Sequence, residues 1–471
     1  MNCPRLTIAL QTYNRSSSGY LRESLDAILA QSYADFELLV LDNHSSDDTA
    51  ELVLNYTDSR LTYIRQPPGG TSANNFYRAI WMSRGVYVLP THDDDIMEPT
   101  MVERQMDFLN SHPETLCVAT NVSLIDQQGL MIQPHLYAME EDLIFEKGEY
   151  IPFYMEEKFW LPTPSHLFHR DALASVCRKR VRDTNQIFFP SDDIWTLFRM
   201  NLRGSIAILA PPLLRYRQHF GQESRSVDQS APLTKLIDLL LKQKQRSPVL
   251  LPHLPCIHAA HARFHAQDIL FRSGSMSREL IRQIHSLGIR WKKAVPPANR
   301  AVDAVLPFEL LHRQLNLGAT IPDEKLDQLQ KTPARSLARQ SYRLWAHLAN
   351  EGQTIFEGKP EFRRVAILGS MLTAFLLVLD ARRAGIEVAC CLDSSPARIG
   401  QQVLGVPIIP HEQLRGVEAV DAVILSSERD HEEALKEILT PHLPDRDLRV
   451  LSWKDLAREA MPRLSTAICG L

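Results

Sequence analysis

Between residues 5 and 120 the chain switches repeatedly between short apolar runs and amphipathic stretches, and this alternation restricts the fold more than any other feature. Leu6-Thr7-Ile8-Ala9-Leu10 reads as a strand, followed by a helix from about Tyr20 to Gln31 and a second strand at Phe36-Glu37-Leu38-Leu39-Val40-Leu41. A helix from Asp47 to about Tyr56, a strand at Leu61-Thr62-Tyr63-Ile64 and a helix from about Ser72 to Arg84 continue the series. A fourth strand, Val86-Tyr87-Val88-Leu89, runs into Pro90-Thr91-His92-Asp93-Asp94-Asp95. Such alternation predicts an α/β fold with a mostly parallel sheet and helices on its faces. Ligands of open α/β sheets sit beyond the carboxyl ends of the strands, so the Asn14 turn and the Asp cluster are expected to share one crevice.

The pattern continues less regularly from about 115 to 225, with Leu116-Cys117-Val118-Ala119-Thr120, an acidic and aromatic stretch from Glu140 to Trp160, and a helix beginning near Ser191. Helix signals such as Leu233-Thr234-Lys235-Leu236-Ile237-Asp238-Leu239-Leu240-Leu241 fill 230–350. A fresh βαβ pattern starts at Arg364-Val365-Ala366-Ile367-Leu368-Gly369, with a helix to about Ala384 and a strand ending at Asp393. Three domains are expected within the 471 residues: 1–228, a mainly helical connector over 229–360, and a second, Rossmann-like α/β domain over 361–471.

Composition narrows the function classes. The 52 Lys and Arg against 56 Asp and Glu give a net charge of −4, which does not suit nucleic acid as a bulk partner. Seven scattered cysteines without a CxxC pair fit a reducing compartment and no structural zinc. No signal-type segment precedes the first strand, so a cytoplasmic protein is expected. The longest apolar run, Val365 to Leu379, is interrupted by Gly369, Ser370 and Thr373 and is short of the roughly 20 residues that span a bilayer. Between Ala260 and Arg300, eight Lys or Arg stand against Asp268 and Glu279, interleaved with Phe264, Phe271 and Trp291. That segment reads either as a basic surface for anionic lipid or a lipid-linked acceptor, at the inner face of a membrane, or as a solvated helical face over an aromatic core.

Asp93, Asp94 and Asp95 carry the clearest chemistry. Neighbouring carboxylates repel one another, so three in a row are costly unless a divalent cation or hydrogen-bond donors neutralise them. The rival reading is a solvated acidic turn.

In several ordered motifs, roughly residues 5–225 resemble the GT-A glycosyltransferases of the large inverting family 2. Leu6-Thr7-Ile8-Ala9-Leu10-Gln11-Thr12-Tyr13-Asn14-Arg15 is similar to that family's first strand and turn, with Gln11 where Pro is usual. Leu39-Val40-Leu41-Asp42-Asn43-His44-Ser45-Ser46-Asp47-Asp48-Thr49 is similar to its Val-Asp-Asp-Gly-Ser-x-Asp-x-Thr segment. The Asp cluster occupies the position of the family's DXD motif, with His92 where many members carry Asp. Ser191-Asp192-Asp193-Ile194-Trp195-Thr196-Leu197-Phe198-Arg199 and the downstream Tyr216-Arg217-Gln218-His219 resemble the region of the catalytic carboxylate and a Tyr-Arg-x-His run.

The resemblance implies a metal-dependent inverting transferase that moves a sugar from a nucleoside diphosphate sugar to a hydroxyl of a glycan, a lipid-linked glycan or a protein. The residues implied to bind the nucleotide-sugar are Thr12, Tyr13, Asn14, Arg15, Asp42, Asn43, Asp93, Asp94 and Arg217, with Asp42 accepting from a base N–H. Asp93, Asp94, Asp95 and His219 are the implied ligands of Mn²⁺ or Mg²⁺. Asp193 or Asp192 is the implied general base, Asp193 being favoured by its six-residue spacing to Arg199. A catalytically silent scaffold and a sugar-1-phosphate nucleotidyltransferase are the alternatives, the latter expecting a Gly-rich first turn that Gln11-Thr12-Tyr13-Asn14-Arg15 does not supply. Residues 361–471 resemble the Rossmann-like nucleotide-sugar-binding domains found beside sugar-modifying enzymes, although Gly369-Ser370-Met371-Leu372-Thr373 is not GxGxxG. A domain used only for assembly, for example in an oligomer, is the other reading of that region.

Overall fold

In the computed structural model the described residues are 4–69, 72–157, 159–177, 192–219, 230–243, 247–273, 276–331, 334, 336–429, 431–445 and 447–460. The chain divides into two compact units, residues 1–154 with 158–222, and residues 155–157 with 223–471.

The first unit is built on one mixed sheet. Its strands are β1 (Leu6–Thr12), β2 (Phe36–Asp42), β3 (Leu61–Arg65), β4 (Tyr87–His92), β5 (Ile96–Met97), β6 (Thr115–Ile125), β7 (Met131–Gln133), β8 (Leu143–Phe145), β9 (His166–His169) and β10 (Ser205–Arg217). They run in the order β3-β2-β1-β4-β9-β6-β10-β5, with β7 on β6 and β8 on β10. The strands β3, β2, β1 and β4 are mutually parallel, as the alternation predicts, and β9 inserts antiparallel between β4 and β6. Every residue of β2 is buried, because the sheet is covered on both faces and both sets of alternating side chains go inward.

A polar stitch closes the amino end of this sheet. The Thr7 hydroxyl donates to Glu37 Oε1 at 2.6 Å and accepts from the Gly85 amide at 3.0 Å, while the Arg84 amide and Nε donate to Glu37 at 2.8 and 2.6 Å. A Cβ at Gly85 would lie 2.6 Å from the Thr7 nitrogen, so only glycine permits this approach of backbones.

Two strands differ from their sequence expectation. β4 runs on through Pro90 and Thr91 to His92, pairing with β1 up to Gln11, so the Asp cluster begins directly beyond its last residue. β10 is a 13-residue strand through Pro211 and Pro212, residues that disguise it in the sequence. It tolerates them through register shifts against β6 between Leu209 and Leu214.

The second unit combines helices with a six-stranded sheet: β11 (Arg364–Leu368), β12 (Glu387–Leu392), β13 (Gln402–Val403), β14 (Val406–Ile409), β15 (Ala422–Leu425) and β16 (Arg449–Ser452) in the order β13-β14-β12-β11-β15-β16. All pairs except β13–β14 are parallel. The helix Leu337–Asn350 shares the core of this sheet. Tyr342 lies 4.6 Å from Trp453 between ring centroids, its hydroxyl is 2.6 Å from Thr373 Oγ1 and donates to Glu428 at 3.0 Å, and Trp345 packs 5.6 Å from Trp453. Asp380, whose carboxyl burial pushes up to about 6, accepts from Gln314 Nε2 at 3.1 Å and from the Ile355 amide at 2.8 Å. The expected boundary at 228/229 lies close to the border of the units, whereas the one at 360/361 falls inside the second.

Among the described residues no helix is long and apolar enough to cross a membrane.

Candidate donor and metal site

Two loops at the carboxyl ends of β1 and β2 are zipped together side by side. The Asn14 amide donates to Ser45 Oγ at 2.9 Å, Asn14 Oδ1 accepts from the Ser46 amide at 2.8 Å, and the Arg15 amide donates to Thr49 Oγ1 at 2.9 Å. Asn14 has a φ of 51°, a left-handed conformation that Asn tolerates better than most residues. Asp47 anchors the zip by accepting from the Ser16 amide and hydroxyl at 3.0 and 2.8 Å and from the Thr49 amide and hydroxyl at 3.1 and 2.5 Å. Burial opposes its ionisation, but these donors outweigh it and bring the carboxyl down to about 2.

Asp42 ends β2 fully buried. Its Oδ1 accepts from the Ser45 amide at 2.9 Å and hydroxyl at 2.6 Å, and its Oδ2 accepts from the Tyr63 hydroxyl at 2.5 Å. Burial and the Asp42 charge push the Tyr63 hydroxyl well up, which keeps it a donor. Both Asp42 oxygens are therefore engaged within the fold, where they order the loop after β2. Thr12 is buried at the end of β1, Tyr13 is largely exposed beside it, and the Asn43 amide donates to the Thr12 carbonyl at 2.9 Å.

The three carboxylates beyond β4 point to different partners. Asp93 accepts from the Tyr13 amide at 3.3 Å and from Arg15 Nε at 3.1 Å. Asp94 Oδ2 lies 2.9 Å from His219 Nε2 and 3.7 Å from Arg15 Nη2. Asp95 Oδ1 accepts from the Arg217 amide at 2.9 Å, whereas its Oδ2 is buried with no hydrogen-bond partner. Burial and the neighbouring Asp94 push Asp93 up, with Arg15 offsetting part of the rise. The same two causes push Asp95 well up. Burial acts on Asp94 as well, but the hydrogen bond with His219 and the charges around it, those of His92 and Arg15 included, leave its carboxyl below the usual range. The cluster thus holds one readily ionised carboxyl between two that resist ionisation.

Three donor atoms, one each from His92, Asp94 and Asp95, lie within 4.8 Å of one another. The orphaned Asp95 Oδ2 and this spacing fit a small divalent cation, which would supply the missing partner and the charge needed to ionise Asp95. Relative to the expected ligands Asp93, Asp94, Asp95 and His219, the geometry brings in His92, turns Asp93 towards Arg15, and makes His219 a hydrogen-bond partner of Asp94. His92 was legible in principle as an imidazole, a common metal ligand, standing at the end of β4 directly before the Asp run.

Arg217 lies beneath the cluster. Only 1% exposed, it donates from Nε to the Asp94 carbonyl at 2.9 Å, pairs with Glu23, and stacks 4.4 Å over the Tyr20 ring. In this arrangement Arg217 clamps the backbone of the Asp run. Ser24, whose hydroxyl donates to the Asp95 carbonyl at 2.6 Å, completes this clamp. Neither Tyr20, Glu23 nor Ser24 carries a local signal, since they sit on one turn of an ordinary amphipathic helix.

Asp193 stands in the first turn of the helix Asp192–Asn201, half-buried, with its Oδ2 accepting from Trp160 Nε1 at 2.7 Å. Trp160 is set in turn by Tyr137, whose hydroxyl donates to the Trp160 carbonyl at 3.1 Å and accepts from its amide at 3.0 Å. Ser191, the expected helix start, and the Asp192 side chain lie outside the described residues.

Residues 7–177, which carry the zipped loops and the Asp run, match the family model described as glycosyl transferase family 2. They form a family 2 glycosyltransferase domain. Its parallel-rich sheet with flanking helices is the GT-A type of α/β architecture. An uncharacterised glycosyltransferase of Rickettsia typhi is 30% identical over 145 residues, 31% of this chain and 43% of that protein. Chondroitin synthase of Escherichia coli is 30% identical over 132 residues, 27% of this chain and 19% of the synthase. This chain therefore spans less than half the length of both relatives. Among solved structures, S. aureus TarS 1-349 in complex with UDP-GlcNAc is similar at 17% identity, covering 74% of this chain and 93% of that one with a TM-score of 0.47.

Proposed function

We propose that the chain is a metal-dependent inverting glycosyltransferase that moves a sugar from a nucleoside diphosphate donor to a hydroxyl of a glycan, a lipid-linked glycan or a protein. The observation that carries this reading is the meeting of Arg15, His92, Asp94 and Asp95 beyond the adjacent strands β1 and β4 of the family 2 domain. His92, Asp94 and Asp95 would hold the cation, and the imidazole nitrogen in that set suits Mn²⁺ better than Mg²⁺. Such a cation, when bound, would neutralise diphosphate charge as the leaving group departs. Arg15, paired with Asp93 and Asp94 beside these ligands, would be the cationic side chain placed to meet the same anion.

Asp193 accepts the proton of the acceptor hydroxyl while that oxygen forms its bond to the sugar anomeric carbon and the bond to the diphosphate oxygen breaks. Trp160 aims its carboxylate by fixing one oxygen. A cytoplasmic setting is supported by Cys117, Cys390 and Cys391, which are buried with free thiols. Surface polysaccharide, lipopolysaccharide or protein glycosylation is a natural context for such a transferase.

A thermal-shift screen of nucleoside diphosphates and their sugars, with and without Mn²⁺, tests the reading, because a ligand that binds only the folded chain raises its stability. A shift requiring both nucleotide and Mn²⁺ is expected. No shift with any nucleoside diphosphate, in a protein that melts cooperatively, would overturn it.

A further inference from the structure

The helix Arg278–Ala294 of the second unit separates its side chains into two opposed arcs. Leu280, Ile284, Leu287, Gly288 and Trp291 are buried. At about 100° per residue, Arg278, Arg282, His285, Ile289, Lys292 and Lys293 fall within an arc of about 100° on the opposite side. All six are exposed, and Ile289, near the middle of the arc, is 55% exposed. Over 17 residues the stripe is about 25 Å long.

The stability of the helix accounts for only part of this pattern. Lys292 and Lys293 in the last turn complement the helix dipole, but Arg278 and Arg282 lie near its amino end, where positive charge is unfavourable. Glu279 is the one acidic residue in the helix, and it pairs with Arg282 at 3.4 Å where both are exposed, an interaction of little worth. The stripe concentrates positive charge on a chain whose net charge is −4.

We propose that this face is an electrostatic docking surface for an anionic lipid bilayer. A single line of cations with an apolar residue among them matches a flat layer of anionic headgroups, with Ile289 reaching the boundary below them. The apolar face of the helix stays in the protein core, so the helix lies on the bilayer and does not insert into it. The structure thereby narrows the basic 260–300 segment: the helix Leu254–Ser273 carries Phe264 and Arg263 buried, and the lipid-facing residues all belong to the next helix. The proposal stands whether or not the donor-site reading holds.

Co-sedimentation of the full chain with vesicles tests it. Vesicles of phosphatidylcholine mixed with phosphatidylglycerol should bind the protein, with affinity falling as salt rises, and vesicles of phosphatidylcholine alone should not. The triple variant Arg282→Gln, Lys292→Gln, Lys293→Gln should lose at least about 10-fold in affinity, while Arg282→Lys, Lys292→Arg, Lys293→Arg retains it. Ile289→Ser should weaken vesicle binding without changing binding to heparin, a soluble polyanion. No vesicle binding, equal binding to neutral vesicles, an unaffected triple Gln variant, or an Ile289→Ser variant that binds vesicles like the parent would overturn the proposal. Cooperative thermal melting of each variant, at the midpoint of the parent, reports folding separately from docking.

Discussion

At the residue scale, the site depends on which partner each carboxylate has. Asp42 and Asp93 are engaged within the fold, while Asp95 keeps a buried oxygen without a partner beside His92 and Asp94. His92→Ala should therefore weaken Mn²⁺-dependent nucleotide binding at least about 10-fold with little loss of stability, as read by titration calorimetry. An unchanged Mn²⁺ requirement would remove His92 from the ligand set. Trp160→Phe keeps the ring and deletes the N–H that Asp193 accepts. A carboxylate that loses a donor becomes easier to protonate, so the acidic limb of the kcat profile should move to higher pH, with kcat down about 10-fold and the donor KM held. A uniform loss with no movement of the profile would mean that Trp160 serves packing alone.

At the element scale, the first two strand-to-helix loops are held by Asp47 rather than by the glycines common in such turns. The folded carboxyl at about 2 lies below its ordinary value of 3.8, so its contribution to stability is complete above about pH 4 and is lost as the pH falls towards 2. With solvent screening discounted, that contribution is about 1 kcal/mol. Asp47→Asn should lower Tm at pH 7, and the gap between parent and variant should close between about pH 4 and pH 2 in calorimetric scans. A gap independent of pH would show that the hydrogen bonds matter and the charge does not. The same scale explains an element that the sequence disguises: in β10, Pro211 and Pro212 suggest a loop, but the bulge between Leu209 and Leu214 carries them within a strand.

For the whole molecule, the consequential finding is that the helices after residue 223 and the second sheet share side chains. Tyr342, Trp345 and Gln314 are tied to Thr373, Trp453 and Asp380, so the helical segment is no free-standing linker. A chain ending at residue 222 is expected to keep its Mn²⁺-dependent nucleotide shift. A chain ending at 360 should expose the apolar faces that pack against the helices Leu372–Arg383 and Trp453–Ala460, bind a hydrophobic dye and aggregate. Cooperative melting of the 360 truncation with no dye binding would restore the three-domain division of the sequence analysis.

The strands β1 to β4, their parallel arrangement and the placing of the Asn14 turn beside the Asp run were legible because local periodicity and strand-end rules act over a few residues. The family resemblance followed from motifs equally short. Which oxygen remains unpaired, that Arg217 is buried beneath the Asp run, and that Trp160 reaches Asp193 depend on contacts between residues 33 to 194 positions apart. Local pattern carries no information over such separations. Only the packing of β4 against β1 and of β10 against β6 gives three consecutive acidic residues different partners, Asp93 with Arg15, Asp94 with His219 and Asp95 with the Arg217 amide, and leaves one Asp95 oxygen unpartnered.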